Sequence, residues 1–483
     1  MTLSSALTYT ARPRVVAKYA GELCLPVAVL AVVPCAITAA YGEYGMSATY
    51  AAAAAVLAGV GFLSRRMPKP KDIQTNEAYA IISLVFILVP AVMAVAISRA
   101  GLGYLDAYCT AVSASTTTGL RFSAGADSTT LPLSLAWMQW YGGLGILVFS
   151  LALFLHPGRR TKDLASVEIP KTDLLVGTRV YARTIIFYYA ALSVAGFSAL
   201  MLTGLPIELA APLAMGSVST GGPATASISA GPLSLVQQSV LAAFCLLGAL
   251  PFTMTVRILR LKHTEMLELS EIAAILGLIL LMTAVLAGCL VLNEGYSMGE
   301  TLELAPIMAV FVQTTSGYAS LDFSGLSDAT MAIMIPFMAA GGGIGSTAGG
   351  FKGLRLLIGL SVIRSAIRSS RMPAHAHHKP TLMNRVVDDE FTHDALQVTF
   401  LFLIASGAAW LIFLLAGYAG SESLFLVISA ASNSGYAYGI DPQALPAGLK
   451  LLLAILMILG RLELLAVLAA FSPGNWFGRT RGY

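Results

Sequence analysis

The stretch Ser115-Thr-Thr-Thr-Gly-Leu120 (STTTGL) decides the fold, because variants of it recur along the chain. The further copies are VSTGG at 218–222, QTTSGYAS at 313–320 and SNSGYAYG at 432–439. In each copy a run of hydroxyl or amide side chains meets a glycine, and Gly119, Gly221, Gly317 and Gly435 are separated by 102, 96 and 118 residues. Such spacing indicates four repeats of one structural unit.

The composition is that of an integral membrane protein. Hydrophobic residues make up 57% of the sequence and charged residues 11%, too little charge for a soluble surface. Apolar segments of about 20 residues, enough to cross a bilayer, are predicted at 23–41, 47–64, 77–98, 131–155, 181–204, 234–258, 272–293, 329–369, 395–418 and 446–471. Shorter apolar pieces at 104–116, 206–218, 302–314 and 421–432 are predicted to enter the membrane and turn back at the glycine motifs.

The distribution of basic residues predicts the orientation, because cytoplasmic loops retain an excess of Lys and Arg. These residues cluster before the first span, as Arg12, Arg14 and Lys18, after the second span, and between successive repeats. Only Arg99 and Arg121 fall in the loops that this pattern predicts to face the exterior. The pattern predicts cytoplasmic N- and C-termini and glycine motifs that face the exterior.

The residue types in the four loops favour a cation pathway. A dehydrated cation must be met by oxygen atoms, which backbone carbonyls and Ser or Thr hydroxyls supply. Glycine reaches the backbone conformations that turn carbonyls inward, and the negative end of the preceding helix favours a cation. Close packing of small residues is the alternative interpretation of any one loop. Recurrence on one side of the membrane disfavours it.

Two further features interrupt the apolar spans. Six glycines between residues 341 and 350 would each cost a helix about 1 kcal/mol, so the long span 329–369 is predicted to be broken there, as in transport proteins. Arg461 lies inside the last predicted span, where a charge costs roughly 2.5–3.5 kcal/mol. It is expected to face the pore or a partner; a structural arginine bonded to backbone carbonyls is the alternative.

With these motifs in view, the chain resembles the Trk, Ktr and HKT superfamily of potassium transporters, most closely the bacterial TrkH and TrkG branch. The resemblance also includes QWYGGLGILVF at 139–149, GGGIGSTAGGFKGLR at 341–355 and ILGRLELLAVL at 458–468. It implies an all-α polytopic membrane protein, in which an N-terminal helix pair precedes four pseudo-fourfold repeats of outer helix, pore helix, filter and inner helix around a single central pore. The implied boundaries are 1–72 for the helix pair, then 73–160, 161–264, 265–380 and 381–483 for the repeats.

The resemblance also assigns roles to individual residues. The filter, whose carbonyls would bind dehydrated potassium, comprises Thr117, Thr118, Gly119, Leu120, Ser219, Thr220, Gly221, Gly222, Thr315, Ser316, Gly317, Tyr318, Asn433, Ser434, Gly435 and Tyr436. A gating loop beneath the filter comprises Gly341, Gly342, Gly343, Gly345, Ser346, Thr347, Gly349 and Gly350. Arg461 would be a positive barrier in the pore. Gly119 favours potassium, because serine at this position accompanies sodium permeation in plant relatives.

The implied function is potassium uptake across a bacterial inner membrane, with potassium as transported substrate and no cofactor in this chain. The implied partners are the lipid bilayer, a second copy forming a homodimer with one pore in each chain, and a cytoplasmic nucleotide-binding subunit of the TrkA type. The chain has no P-loop or GxGxxG signature in a strand-to-helix context, and no nucleic-acid partner is expected.

Three alternatives remain beside this function. Coupling of potassium to sodium or protons, and a sodium-permeable member of the same superfamily, both stay open. A membrane enzyme is disfavoured because no serine has an obvious base partner.

Overall fold

The computed structural model describes residues 10–70, 73–122, 128–154, 174–222, 233–252, 254, 266–371, 379–382, 385–462 and 464–477. Its helices are α1 Pro13–Leu30, α2 Val32–Ala40, α3 Tyr44–Arg65, α4 Thr75–Ile97, α5 Tyr104–Ser115, α6 Leu131–Phe154, α7 Leu174–Leu202, α8 Ile207–Ser219, α9 Leu235–Ala249, α10 Met266–Leu292, α11 Met298–Gln313, α12 Asp328–Ala340, α13 Gly353–Ser369, α14 Asp389–Leu415, α15 Gly420–Ala431, α16 Ala447–Arg461, α17 Leu464–Phe471 and α18 Pro473–Trp476. Two-residue strands, β1 Thr381–Leu382 and β2 Arg385–Val386, form a short antiparallel ribbon.

The helical membrane class predicted from composition is confirmed. Within the described ranges, six helical segments are long and apolar enough to cross a membrane: Pro13–Ala40, Tyr44–Arg65, Thr75–Ala100, Ala182–Leu202, Leu269–Leu292 and Asp389–Leu415. Large apolar side chains such as Phe187, Leu202 and Leu292 are exposed on these helices. An apolar exterior of this kind suits lipid rather than water.

The helices after the N-terminal pair follow one order four times. The long helices α4, α7, α10 and α14, named outer helices after the predicted repeat, each precede a short helix, named the pore helix after the same prediction: α5, α8, α11 and α15. A further helix, named the inner helix, follows each of these: α6, α9, α12 and α16. Each inner helix packs between the pore helix of its own repeat and that of the next repeat, and the cycle closes where α16 packs on α5. The pore and inner helices therefore form a closed ring.

The predicted spans 329–369 and 446–471 are both interrupted. As the glycine content predicts, α12 ends at Ala340 and α13 begins at Gly353, with non-helical backbone between them. The last span, predicted as continuous over 446–471, is instead divided into α16 and α17, so that prediction is wrong. Arg461 is the final residue of α16 and not the middle of a helix. A Cβ at Gly460 would overlap the Ala431 carbonyl, so α16 approaches the end of α15 closely.

The N-terminal pair is joined to the outer helix of the first repeat through a buried ion pair. Helix α1 packs on α3 and α4, and the Arg12 Nε donates to the Glu77 Oε1 at 2.7 Å. Lys18 does not precede the first span, as the basic-residue pattern suggested, but lies within α1 and is buried. Its Nζ donates to the Met67 carbonyl at 2.8 Å, so it binds the carbonyl end of α3.

Candidate functional site

All four pore helices end with the same pair of backbone hydrogen bonds. In α5 the Thr117 N–H donates to the Ala114 carbonyl at 3.0 Å, and the Thr118 N–H donates to the Ser113 carbonyl at 2.8 Å. The equivalent donor pairs are Thr220 with Gly221, Thr315 with Ser316, and Asn433 with Ser434. This is the pattern in which a left-handed residue ends a helix and satisfies its last carbonyls. We call these four segments the cap loops.

The left-handed residue of each cap loop is not glycine. Thr117, Thr220 and Thr315 have φ angles of 52°, 50° and 51°, and Asn433 has 55°. A β-branched residue rarely adopts positive φ, and the strain is of order 1–3 kcal/mol for each residue. The same strained backbone conformation recurs at the same position in all four repeats, whereas the side chain there is threonine in three and asparagine in one. The repeats therefore share a backbone conformation more closely than they share a side chain.

The backbone corrects the register of the second loop. A second positive φ occurs two residues after the first, at Gly119 (78°), Gly222 (70°), Gly317 (72°) and Gly435 (79°). Gly222, and not Gly221, therefore corresponds to the other three glycines. Ser219 then corresponds to Thr116, Thr314 and Ser432, and its Oγ donates to the Met215 carbonyl at 2.8 Å within the pore helix. Two adjacent glycines leave this register undecided in the sequence.

The four glycines contact the next loop in a cycle. A Cβ at Gly222 would lie 2.6 Å from the Ser316 carbonyl oxygen, and one at Gly317 would lie 2.6 Å from that of Ser434. A Cβ at Gly119 would overlap the Gly221 carbonyl, and one at Gly435 would overlap the Thr118 carbonyl. The contacts run from the first loop through the fourth and back to the first. The cap loops thus surround one centre, and a side chain at any of these glycines would disrupt the ring.

The ring of cap loops lies at the carboxyl-terminal, negative ends of the four pore helices. The side chains of Thr118, Ser316 and Ser434 are fully buried beside it. Each helix end contributes a partial negative charge of about half an elementary charge. Oxygen atoms and helix ends together make this a centre that attracts cations. Within the described residues, no group of three or more His, Cys, Asp or Glu is arranged to hold a resident metal ion.

The glycine-rich segment 341–352 lies against the ends of three pore helices. The Thr347 Oγ1 donates to the Val218 carbonyl at 3.0 Å, and the Gly349 N–H donates to the Thr315 Oγ1 at 2.8 Å. The Gly350 N–H donates to the Ser432 carbonyl at 3.0 Å. A Cβ at Gly349 would overlap that same carbonyl. The segment therefore packs directly on the cap loops, where glycine allows backbones to meet.

Arg461 is placed beside this segment. Its Nη1 donates to the Thr347 carbonyl at 2.6 Å, and the residue is 5% exposed. Its Nε and Nη2 have no hydrogen-bond partner among the described residues. The arginine at the end of α16 thus contacts the glycine-rich segment through a backbone carbonyl.

Two buried glutamines bind the cap loops and the glycine-rich segment, a role that the sequence analysis did not assign to them. The Gln139 Nε2 on α6 donates to the Gly221 carbonyl at 2.7 Å, and the Gln313 Nε2 at the end of α11 donates to the Gly341 carbonyl at 2.5 Å. Both side chains are buried. A polar residue inside an apolar span was the signal that could have identified them, because such a group needs a hydrogen-bond partner.

A charge pair was also missed. Lys450 near the start of α16 forms a salt bridge with Asp106 in the first turn of α5. Lys450 lies on the side predicted to be exterior, to which the distribution of basic residues assigned Arg99 and Arg121 alone. The pair joins the fourth repeat to the first at the closure of the helix ring.

Comparisons with known proteins agree with this architecture. The sequence profile of the TrkH family, described as a cation transport protein, matches residues 46–309 and 296–477. An uncharacterised cation transporter of Methanocaldococcus jannaschii is 25% identical over 458 residues, which is 94% of each chain. The Trk system potassium uptake protein TrkI of Halomonas elongata is 29% identical over 394 residues, 78% of each chain.

A solved structure shares the fold. The crystal structure of the potassium transporter TrkH from Vibrio parahaemolyticus matches with a TM-score of 0.84 at 19% identity, covering 96% of this chain and 100% of that one. Because the family profile spans most of the sequence, the chain belongs to the TrkH family of cation transport proteins.

Proposed function

We propose that this chain takes up potassium through a pore at the centre of the ring of cap loops. The observation that carries the proposal is the cycle of contacts in which Gly119, Gly222, Gly317 and Gly435 each meet a backbone carbonyl of the adjacent loop. Four oxygen-rich loops around one axis suit a dehydrated cation. Potassium is favoured because relatives that cover most of the chain are named potassium uptake proteins.

In this proposal the cap loops are the selectivity filter. The carbonyls of Thr117 and Thr118, with their counterparts in the other repeats, coordinate the ion, and Gly119 with its counterparts lets the loops approach. The repeat boundaries and outward-facing filter expected from the sequence are part of the proposal. So is a homodimer with one pore in each chain.

The glycine-rich segment is the proposed gate, with Arg461 as a positive barrier beside it. The contacts of the glycine-rich segment with Val218, Thr315 and Ser432 hold the segment across the ends of the pore helices. The segment continues into α13, which carries Arg355, Arg364 and Arg368. A cytoplasmic nucleotide-binding subunit that moves α13 would displace the gate.

The test is cation flux through the purified chain in liposomes, comparing potassium, rubidium and sodium. Gly119→Ser is measured alongside, because its side chain would overlap the Gly221 carbonyl. Gly101→Ser is the matched control, since Gly101 also has positive φ but a Cβ there would meet no other described group within 4 Å. We expect flux of potassium and rubidium above sodium, with selectivity reduced in the Gly119 variant alone.

Other outcomes would change the assignment. Equal sodium flux in the wild type would indicate a sodium-permeable member of the family. Potassium movement that requires a sodium or proton gradient would indicate a coupled transporter. A variant with part of 341–350 deleted is expected to carry more flux than the wild type. Absence of cation flux in both the wild type and this deletion variant would overturn the proposal that the chain forms a pore.

A further inference from the structure

Two of the four cap loops place a tyrosine directly after the left-handed glycine. Tyr318 follows Gly317 in the third loop, and Tyr436 follows Gly435 in the fourth. Leu120 occupies this position in the first loop. The two tyrosines are 5% and 3% exposed, so their phenol groups are inside the protein. A buried phenol hydroxyl normally requires a hydrogen-bond partner.

Both hydroxyl groups find that partner in another repeat. The Tyr436 Oη donates to the Tyr318 carbonyl at 2.7 Å, which joins the fourth loop to the third. The Tyr318 Oη donates to the Leu213 carbonyl at 3.1 Å, which joins the third loop to the second pore helix. The two bonds therefore form a series across three repeats. The Tyr318 carbonyl, expected from the sequence to bind potassium, has a protein donor here.

The surroundings of the two rings are built to hold them in place. A Cβ at Gly216 on α8 would lie 2.5 Å from the Tyr318 Oη, so glycine provides the space for this hydroxyl. Phe311 packs on Tyr318 and Phe323 packs on Tyr436, each pair with ring centroids 5.6 Å apart. Aromatic contacts of this kind add stability beyond their buried area. Each tyrosine is thus held at two points. Its main chain follows the glycine of its own cap loop, and its hydroxyl group is hydrogen-bonded to a neighbouring repeat.

The links of the first repeat with the second and with the fourth use other side chains. Gln139 donates to the Gly221 carbonyl from the inner helix of the first repeat, and the Asn433 Nδ2 donates to the Thr118 Oγ1 at 2.9 Å, which joins the fourth loop to the first. Every adjacent pair of repeats is consequently linked by a side chain. Only the links between repeats two, three and four depend on a phenol hydroxyl one residue after the filter glycine.

We propose that Tyr318 and Tyr436 are positioning residues that set the separation of the cap loops and thereby the preference for larger over smaller cations. The inference rests on the proposed function, because it concerns the selectivity of that same pore. A filter selects an ion by the number and spacing of its oxygen atoms. With a hydroxyl bond removed, the loops can move relative to one another and accommodate sodium.

The experiment compares Tyr318→Phe and Tyr436→Phe with wild type in liposomes, measuring the ratio of rubidium to sodium flux. Phenylalanine keeps the ring packing and removes only the hydroxyl. Tyr438→Phe is the matched control, because the half-buried Tyr438 lies two residues after Tyr436 and its hydroxyl donates to the Asp328 Oδ1 at 2.8 Å and to the Leu326 carbonyl at 3.2 Å, outside the cap loops. Thermal unfolding in detergent is recorded for all three variants to verify that they fold.

We expect the flux ratio to fall roughly two- to tenfold in each filter variant, the range that corresponds to loss of one hydrogen bond, and to remain unchanged in Tyr438→Phe. Because the two bonds are in series, the double variant should lose little more than either single one. A selective wild type with unchanged ratios in both variants would overturn this inference and leave the proposed function intact. A wild type without potassium flux would overturn the proposed function itself.

Discussion

The Nη1 of Arg461 donates a hydrogen bond to the main-chain carbonyl of Thr347 at 2.6 Å. The two residues belong to different repeats, since Arg461 ends α16 and Thr347 lies in the segment between α12 and α13. Because the acceptor is a backbone oxygen, the bond fixes the position of the Thr347 main chain. It also fixes a positive charge beside the cap loops.

Replacing Arg461 with alanine is expected to increase rubidium flux by roughly tenfold. The change removes one hydrogen bond from a charged donor, worth about 1.5–3 kcal/mol, and the repulsion of a cation by the guanidinium. Arg461→Lys, which retains the charge, should give a smaller increase. Uptake of rubidium into liposomes measures both effects. A decrease in flux with an unchanged unfolding temperature would contradict the barrier and favour a structural arginine.

The features predicted correctly from the sequence depend on length and local composition. Apolar runs located the helices of the four repeats, and six glycines located the break between α12 and α13. The break after Arg461 escaped prediction because apolar residues continue on both sides of it. The close approach of Gly460 to Ala431 that accompanies it is a tertiary contact.

The register of the second cap loop depended on backbone conformation. Gly221 and Gly222 both fit the motif, and the positive φ of Thr220 decides between them. Threonine at positive φ is held by surrounding structure against its own preference, so no local rule anticipates it. The hydrogen bonds that Gln139, Tyr318 and Tyr436 make with other repeats likewise could not be predicted before the neighbouring repeats were placed.

Thr315→Val is expected to loosen the glycine-rich segment. The Thr315 Oγ1 accepts the Gly349 N–H at 2.8 Å, and valine has the same shape without the acceptor. An unsatisfied buried N–H costs about 1–3 kcal/mol, which disfavours the present position of the segment. Rubidium flux should therefore increase at least about fivefold.

The control for this change is Thr117→Val. Thr117 has the same left-handed conformation in the first loop, and it makes no hydrogen bond with the glycine-rich segment in the described part of the chain. Equal flux increases in the two variants would show that the effect comes from the change in the cap loops and not from the loss of the bond with Gly349.

Glu77→Gln is expected to destabilise the protein by about 3–5 kcal/mol, because removing one member of a buried ion pair leaves the other charge uncompensated. Glu77 is fully buried and binds Arg12 through both carboxylate oxygens, at 2.7 and 3.0 Å. The pair anchors the start of α1 to α4. Thermal unfolding in detergent provides the measurement.

Asp389→Asn tests the same chemistry at the surface. Its partner Lys379 and Asp389 itself have side chains 57% and 65% exposed, and exposed pairs contribute at most about 1 kcal/mol. A loss of stability in Glu77→Gln no larger than in Asp389→Asn would mean that the Arg12 contact does not anchor the N-terminal pair.

Glu294 should make part of the stability depend on pH. The Ser327 and Thr330 hydroxyl groups donate to its Oε1 at 2.6 and 2.5 Å, as does the Ser327 N–H at 3.0 Å. These hydrogen bonds, those of Ser327 first, lower the pKa of Glu294 in the folded protein. A lowered pKa stabilises the fold above the unfolded-state value of about 4.3, and this contribution is lost as the pH falls through the folded-state value.

The unfolding temperature of the wild type is therefore expected to fall as the pH is lowered from ~6 to ~3. Glu294→Gln should show a smaller decrease, because the amide does not titrate and binds the N-cap of α12 less strongly than the ionised carboxylate does. Glu303→Gln changes an exposed glutamate of α11 and should retain the wild-type profile. Parallel profiles for the wild type and Glu294→Gln would show that the hydrogen bonds to Glu294 do not contribute to the acid sensitivity.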